Sequence, residues 1–442
     1  MKMEMLKTVR RVIHADSDPV HQSLFEHLRA SQPLIRAAWR CHRLLGRSPF
    51  STLLLFGFGA GSYLAATPST SERNRPLIVA IYANARKQAR QVVSWMGWHS
   101  VAWLETGSRR MLTAGAMHRF LRGALHCRAW RRYYRVVRRL TRGLDFFVGC
   151  RVASAVFCYV RATEILSDIQ SLGVIVSSDS HPEPLAFAQA ATGLGIPTIF
   201  IAHAHPTAVS SPLDYTLAIL EGEAARQCYE ELGPVRGRVV YCGSEGESRP
   251  LRAEQLSKTK PTIGIFAPKV VRWPRLGELI ADCQRLFAPA RILIRWHPSM
   301  LGPSRLSATL ADTNNVRQTP SGLRLQEVAQ QCDWVIADEN SHVHLGVLKA
   351  GVPTVPIRDF SVLPASRADL YGFVGSRIIP PPVASVREVS LEVLRAFYAH
   401  DWAERFRRFD AGYLSPPGRL TGEVREAILR VLAGRDPPRP SW

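Results

Sequence analysis

The chain has 442 residues, 46% of them hydrophobic, and a formal net charge of +21 carried mostly by arginine. That length exceeds the roughly 250–300 residues at which single cores stop growing, so two domains are expected, and the ordinary composition excludes a disordered or low-complexity chain. Eight scattered cysteines with no CxxC pair exclude a disulfide scaffold or a zinc ribbon and fit a reduced cytosolic compartment.

Met1–His14 is basic, and no apolar core with a small-residue cleavage site follows it, so no cleaved signal is expected. Residues 1–75 read as a helical, basic N-terminal extension. Within it Leu53–Ala66 is uncharged and strongly apolar, shorter than the roughly 20 residues of a spanning helix and closed by Pro68, which predicts a buried or interfacial helix. Gly57, Gly59 and Gly61 do not make a dinucleotide loop, because Ser62 stands at the third glycine position.

A first α/β domain is expected over 76–245. Leu77–Tyr82 reads as a parallel strand, followed by a helix to about Met96 and a further strand at Val101–Leu104. A basic amphipathic insertion spans 111–145, where His118–Arg142 carries nine arginines and no acid. On a helix Trp130, Tyr133, Tyr134, Val137 and Leu140 share one face and the arginines take the others. Arg128, Trp130, Arg131, Tyr134, Arg135 and Arg138 therefore form a candidate contact with an anionic membrane surface. The alternative is a solvated helix packing its apolar side on its own domain. Nucleic acid is not expected as a partner, since no recognised binding module accompanies the charge.

The alternation continues with strands at Val174–Ser177, Thr198–Ala202, Tyr215–Leu220 and Arg238–Cys242, and a helix over Glu183–Leu194. Ser244–Pro261 reads as a linker. A second α/β domain, 262–385, follows with strands at Thr262–Phe266, Arg291–Trp296, Trp334–Ala337 and Thr354–Ile357. Helices are expected at Leu276–Phe287, at Leu323–Gln331 and up to Ala350. Residues 386–442 read as C-terminal helices and a tail. The βαβ rhythm makes the fold class α/β, with two Rossmann-like, doubly wound parallel-sheet domains facing a cleft.

Parallel strands present ligands at their carboxyl edges, so the residues there are the candidate site. ILIRWHP ends on Arg295, His297 and Pro298, and the proline fixes where the histidine points. Asn340 or Ser341 can cap the next helix and offer its amides to an anion, with His344 one turn along on the Ser341 face. Gly351 stands where that helix should end. Lys269 and Arg272 follow the first strand of the second domain and can hold a diphosphate without a metal. In the first domain His203 is a candidate general base at a strand end, or else a loop histidine with a structural hydrogen bond. Asp179 or Glu183 can orient or replace it, and Ser180 is expected to cap the following helix. His203 and His205 lack a third ligand, so no metal is expected. No P-loop, GxSxG elbow, HExxH or kinase signature is present.

As an ordered set these segments resemble the bacterial two-Rossmann glycosyltransferases of GT-B fold. The likeness is to the capsule and teichoic-acid type, which includes polysialyltransferases, Kdo-type capsule transferases and CDP-glycerol glycerophosphotransferases. RWHP matches the His-Pro strand end that binds nucleotide phosphates in those families. Asp333–Pro353 resembles their phosphate-binding serine segment through Ser341, APKVVR their cationic loop through Lys269 and Arg272, and GIPTIFIAHAH their acceptor-activating histidine through His203. The resemblance spans residues 170–360. Departures are Ala202 and Ala204 beside His203, and Val347 where retaining enzymes carry a second glutamate.

The resemblance implies a metal-independent transferase with no cofactor, moving a sugar from a nucleotide-activated donor to a surface polysaccharide or lipid-linked glycan. It would be cytoplasmic and peripheral on the inner face of the plasma membrane. The alternatives are a CDP-polyol phosphotransferase, a UDP-sugar 2-epimerase, or a non-catalytic adaptor of a polysaccharide assembly complex.

Overall fold

The computed structural model describes residues 2–16, 32–46, 48–69, 72–81, 83–98, 101–105, 127–202, 205–206, 210–244, 247–298, 315–320, 322–362, 371–399, 401–416 and 418–434, with positions 22, 25, 26, 29 and 369. The chain divides into two compact units. The first holds the described residues up to Leu220, Arg226–Cys242 and those from Gly418 on; the second holds Glu221–Ala225 and Gly243 to residue 417.

The first unit opens with three helices, α1 (Lys2–Asp16), α2 (Pro33–Leu45) and α3 (Pro49–Ala65). It continues through β1 (Thr67–Pro68), β2 (Leu77–Val79), α4 (Ala83–Met96) and β3 (Ala102–Glu105). After α5 (Cys127–Leu140) and α6 (Phe146–Ile169) come β4 (Val174–Val176), α7 (Pro182–Gly193), β5 (Thr198–Ile201), β6 (Asp214–Leu220), α8 (Glu223–Leu232) and β7 (Arg236–Tyr241). The strands form one sheet in the order β1-β3-β2-β4-β5-β6-β7, parallel except for the β1–β3 pair. β2, β4 and β5 are buried at every residue, as parallel strands covered on both faces must be. One face packs on α4 and on the helix Arg419–Leu432 through Val92, Met96, Val424 and Ile428. The other packs on α7.

Sequence periodicity misses α6, because the helix is apolar on nearly all sides. It is long and apolar enough to cross a membrane by length and composition, yet more than half of it is buried within this unit. Asp145 caps it, accepting the Phe147 amide at 3.1 Å. The described helices of the N-terminal extension, α1, α2 and α3, belong to the first unit. Val9, Val12 and Leu55 of α1 and α3 share a core with Val152, Phe157 and Leu185 of α6 and α7. Gly59 of α3 serves this contact: a Cβ there would lie 2.5 Å from the Phe157 ring and 2.8 Å from the Ala153 carbonyl oxygen.

The second unit contains β8 (Thr262–Phe266), α9 (Trp273–Leu286), β9 (Arg291–Arg295), β10 (Val316–Gln318), α10 (Leu325–Ala329), β11 (Trp334–Asp338), α11 (Val343–Lys349), β12 (Thr354–Ile357), α12 (Leu391–Phe397) and α13 (Trp402–Phe409). Its five strands run parallel in the order β10-β9-β8-β11-β12. β10 and β1 escape sequence reading because they are too short to show periodicity. Within Ser244–Pro261, read from sequence as a linker, the described residues 247–261 are packed structure: Leu256 is buried, and the Arg249 and Arg252 amides donate to the carbonyls of Lys349 and Gly351, each at 2.9 Å.

Candidate functional site

In the second unit the carboxyl ends of β9, β8 and β11 lie side by side. Register sets Arg295 and Ala337 on either side of Phe266, and the Ala267 amide donates to the Arg295 carbonyl at 2.9 Å. The loop leaving β8 carries Lys269 and Arg272 and runs straight into the N-terminus of α9, the positive end of a 14-residue helix. Lys269, Arg295 and His297 share one electrostatic neighbourhood. Burial pushes the His297 imidazole below its ordinary value, and the positive charges of Lys269 and Arg295 push it further down. Burial also lowers the Arg295 guanidinium, which sits 5.7 Å from the Phe266 ring centre. Arg272 is half exposed, 3.9 Å from the Asp359 carboxylate. Pro298, next along, is exposed and lies three residues beyond the end of β9 at Arg295.

The β11 side of the edge is organised by Asp338, which sequence reading passed over. Its Oδ1 accepts the Asn340 amide at 3.1 Å and its Oδ2 the Ser361 amide at 2.9 Å. Its carbonyl accepts the Ser341 amide at 3.0 Å. Burial raises the Asp338 carboxyl, while those two backbone donors pull the other way. Ser341 Oγ accepts the Val343 amide at 3.4 Å, but neither Asn340 nor Ser341 is the cap of α11, a helix of 7 residues: His342 takes that position, with no side-chain cap bond. Trp296 and Gln318 were also missed. The indole Nε1 donates to the Gln318 side chain at 3.0 Å, a contact that depends on β10.

His344 is a correction. It does not face an anion but lies fully buried, with Nδ1 2.8 Å from Thr354 Oγ1 and Nε2 2.9 Å from the Asp338 carbonyl. Burial lowers its pKa to about 4. It is a core histidine with both ring nitrogens occupied.

At the carboxyl edge of the first unit, Asp179 accepts the Tyr229 hydroxyl at 2.9 Å and is largely buried. Burial raises the Glu183 carboxyl, and its backbone hydrogen bond and Arg151 offset part of that. His203 lies outside the described residues. Ser180 is not the cap of α7: His181 takes that position with no side-chain cap bond, because Ser180 is held outside the helix with its carbonyl accepting from Arg151 at 2.8 Å. The sequence contains one DxD triplet, Asp16-Ser17-Asp18, and the Asp16 carboxylate is taken by Arg151 at 2.8 Å. Among the described residues no three potential metal ligands come together.

The expected membrane-facing set of α5 divides. The side chains of Arg128 and Trp130 lie outside the description, and Arg131, Arg135 and Arg138 are exposed. Tyr134 turns inward, donating from its hydroxyl to the Pro49 carbonyl at 2.9 Å with its ring against Phe56. The described part of the apolar side of α5, Tyr133, Tyr134, Val137 and Leu140, is thus spent on its own unit, with Val137 fully buried.

No family model and no curated protein matches the chain. Solved structures that match include a UDP-glucosyltransferase from Polygonum tinctorium, at 10% identity and TM-score 0.48, covering 82% of this chain and 100% of that one. The glycosyltransferase SnogD from Streptomyces nogalater matches at 14% identity and TM-score 0.44, covering 82% and 100%. A UDP-GlcNAc 2-epimerase from Neisseria meningitidis matches at 12% identity and TM-score 0.42, covering 81% and 100%.

Proposed function

We propose that this chain is a metal-independent, nucleotide-sugar-dependent glycosyltransferase of GT-B type that extends a surface polysaccharide or a lipid-linked glycan. The observation that carries the reading is the convergence of Lys269, Arg295 and His297 on one carboxyl edge, in a half-buried setting that already depresses the imidazole. Cations in such a setting stabilise the negative charge that grows on a departing nucleotide diphosphate, where they act more strongly than in water. Arg272 and the start of α9 add positive potential to the same loop. Asn340 and Ser341, fixed by Asp338, supply neutral donors on the other side of Phe266.

In the transfer, the acceptor hydroxyl oxygen forms the new bond to the anomeric carbon as the bond to the β-phosphate breaks. The phosphate takes the electron pair and the hydroxyl proton goes to a base. His203 is the proposed base, by resemblance and by the ordinary pKa of an imidazole. Glu183, whose raised carboxyl accepts protons more readily than a free one, is the second candidate. The place of work is the cytoplasmic face of a membrane, with no cofactor.

The test is thermal denaturation of the full chain with CMP, CDP, UDP, GDP and TDP in turn. One nucleotide at about 100 times its dissociation constant should add roughly 2.7 kcal/mol to stability. His297→Ala and Lys269→Ala, shown folded by circular dichroism, should lose most of that gain. A folded wild-type protein that none of the five stabilises would sink the reading and favour the adaptor.

A further inference from the structure

Where α2 and α5 end and α3 begins, the first unit has an open groove of about 1020 Å³. Its lining carries Arg43, Arg135, Arg138, Arg139 and Arg142 against one carboxylate, Asp145. Arg135, Arg138 and Arg139 share one face of α5 by their spacing, and Arg142 follows two residues past the helix end. Asp145 is already engaged in capping α6. Among the described residues none of the five arginine side chains makes a hydrogen bond or an ion pair, and Arg43 lies over the Trp39 ring, 5.4 Å from its centre. The carboxyl ends of α2 and α5 contribute roughly half a negative charge each, which is too little to offset five guanidiniums.

Two hydroxyls distinguish this groove from an ordinary solvated basic face. Ser51 and Thr52, in the first turn of α3, belong to its lining and are only 4% and 8% exposed. The Ser51 amide donates to Ser48 Oγ at 3.3 Å, but neither side-chain hydroxyl has a hydrogen-bond partner among the described residues. Buried hydroxyls are as a rule hydrogen-bonded, so these two are donors left over for a ligand of the groove. Trp39 and Leu55 add apolar surface to the same lining.

We infer that this groove is a binding site for an organic diphosphate. Its phosphates are held by the arginines of the α5 end with the Ser51 and Thr52 hydroxyls, and its organic group lies along Trp39 and Leu55. Neighbours on a helix face stand about 5–6 Å apart, close enough for two guanidinium forks to share one diphosphate. Guanidiniums offer phosphate oxygens paired, planar donors and stay charged at every working pH. The volume matches that of pockets for whole organic ligands, roughly 300–1,000 Å³, and far exceeds what one inorganic anion fills. The groove belongs to the first unit, whereas Lys269, Arg295 and His297 belong to the second, so this is a further anion site and does not rest on the nucleotide reading. A soluble diphosphate and a lipid-borne one present the same group to it.

The experiment is titration calorimetry at fixed ionic strength on the full chain carrying Lys269→Ala/His297→Ala, which disables the edge of the second unit. The probes are inorganic phosphate, pyrophosphate, adenosine diphosphate and farnesyl diphosphate. Pyrophosphate is expected to bind about tenfold more tightly than phosphate, and at least one of the two organic diphosphates more tightly still. Farnesyl diphosphate in the lead assigns a lipid-borne ligand, and adenosine diphosphate in the lead a soluble one. Adding Arg138→Gln/Arg142→Gln, two changes at exposed positions, should weaken pyrophosphate roughly tenfold, and adding Thr52→Val roughly threefold. Pyrophosphate binding no tighter than phosphate, or an arginine variant that binds it like its parent, would overturn the inference. So would a parent that ignores every diphosphate yet binds a sulfated polysaccharide through the same arginines. In the otherwise wild-type chain Arg138→Gln/Arg142→Gln should leave nucleotide stabilisation unchanged, so failure here is separable from failure of the transferase reading.

Discussion

At the residue scale, a shared helix face does not say what that face meets. Ser341 and His344 stand one turn apart, and from spacing alone both were candidates for the phosphate edge. The turn of α11 instead aims His344 between β11 and β12, where Thr354 and the Asp338 carbonyl occupy its two nitrogens. The consequence is a pH dependence with a definite sign. Its folded pKa of about 4 lies below the ordinary 6.5, so between those values the unfolded chain binds a proton that the folded chain refuses. The stability it contributes is fully present above 6.5 and is lost as pH falls toward 4, by about 3 kcal/mol. Urea midpoints measured from pH 7 to 4 should show that decline, and His344→Gln, which does not titrate, should flatten it. Parallel curves for the two proteins would show that His344 is not the group responsible.

At the element scale, β2, β4, β5, β8, β9, β11 and β12 were all legible, because a parallel strand buried on both faces is a short apolar run bounded by turn residues. Their carboxyl edges, and with them Lys269, Arg295 and His297, followed from that. Gly351 was legible as a helix terminator, and its φ of +78° fits one. What sequence could not give is the second constraint on it. A Cβ at this position would stand 2.5 Å from the Pro250 carbonyl oxygen, because residues 249–252 lie against the end of α11. Gly351→Ala should therefore cost about 1–3 kcal/mol from its backbone conformation alone, and more from the clash. A Tm lowered by several degrees is the expected reading, and an unchanged Tm would contradict the close approach. Strands β1 and β10 and the caps of α7 were illegible, since each depends on a neighbour distant in sequence.

At the scale of the whole molecule, helices α1 and α3 of the N-terminal extension share the core of the first unit. Asp16 at the end of α1 has no exposed side-chain surface and is paired with Arg151 of α6 at 2.8 Å. Asp16→Ala should strand a largely covered guanidinium and destabilise the unit by about 3 kcal/mol. Thermal denaturation and limited proteolysis of the first unit would register the loss, and a wild-type Tm would show that α1 is dispensable. The nucleotide response, which the proposed function assigns to the second unit, offers an internal control.

The sequence by itself determined the α/β class, the βαβ order and the cationic residues that close the strands of the second unit, because these are set by local runs, turns and breakers. Tertiary structure alone decided which amphipathic faces were already taken. The described part of the apolar side of α5, with the ring of Tyr134, is consumed by packing on α3 and α6, His344 is consumed by β12, and the arginines of α5 are left over. Periodicity reports which side chains travel together. Only the arrival of another segment, hundreds of residues away or next door, settles whether they meet protein, water or a ligand.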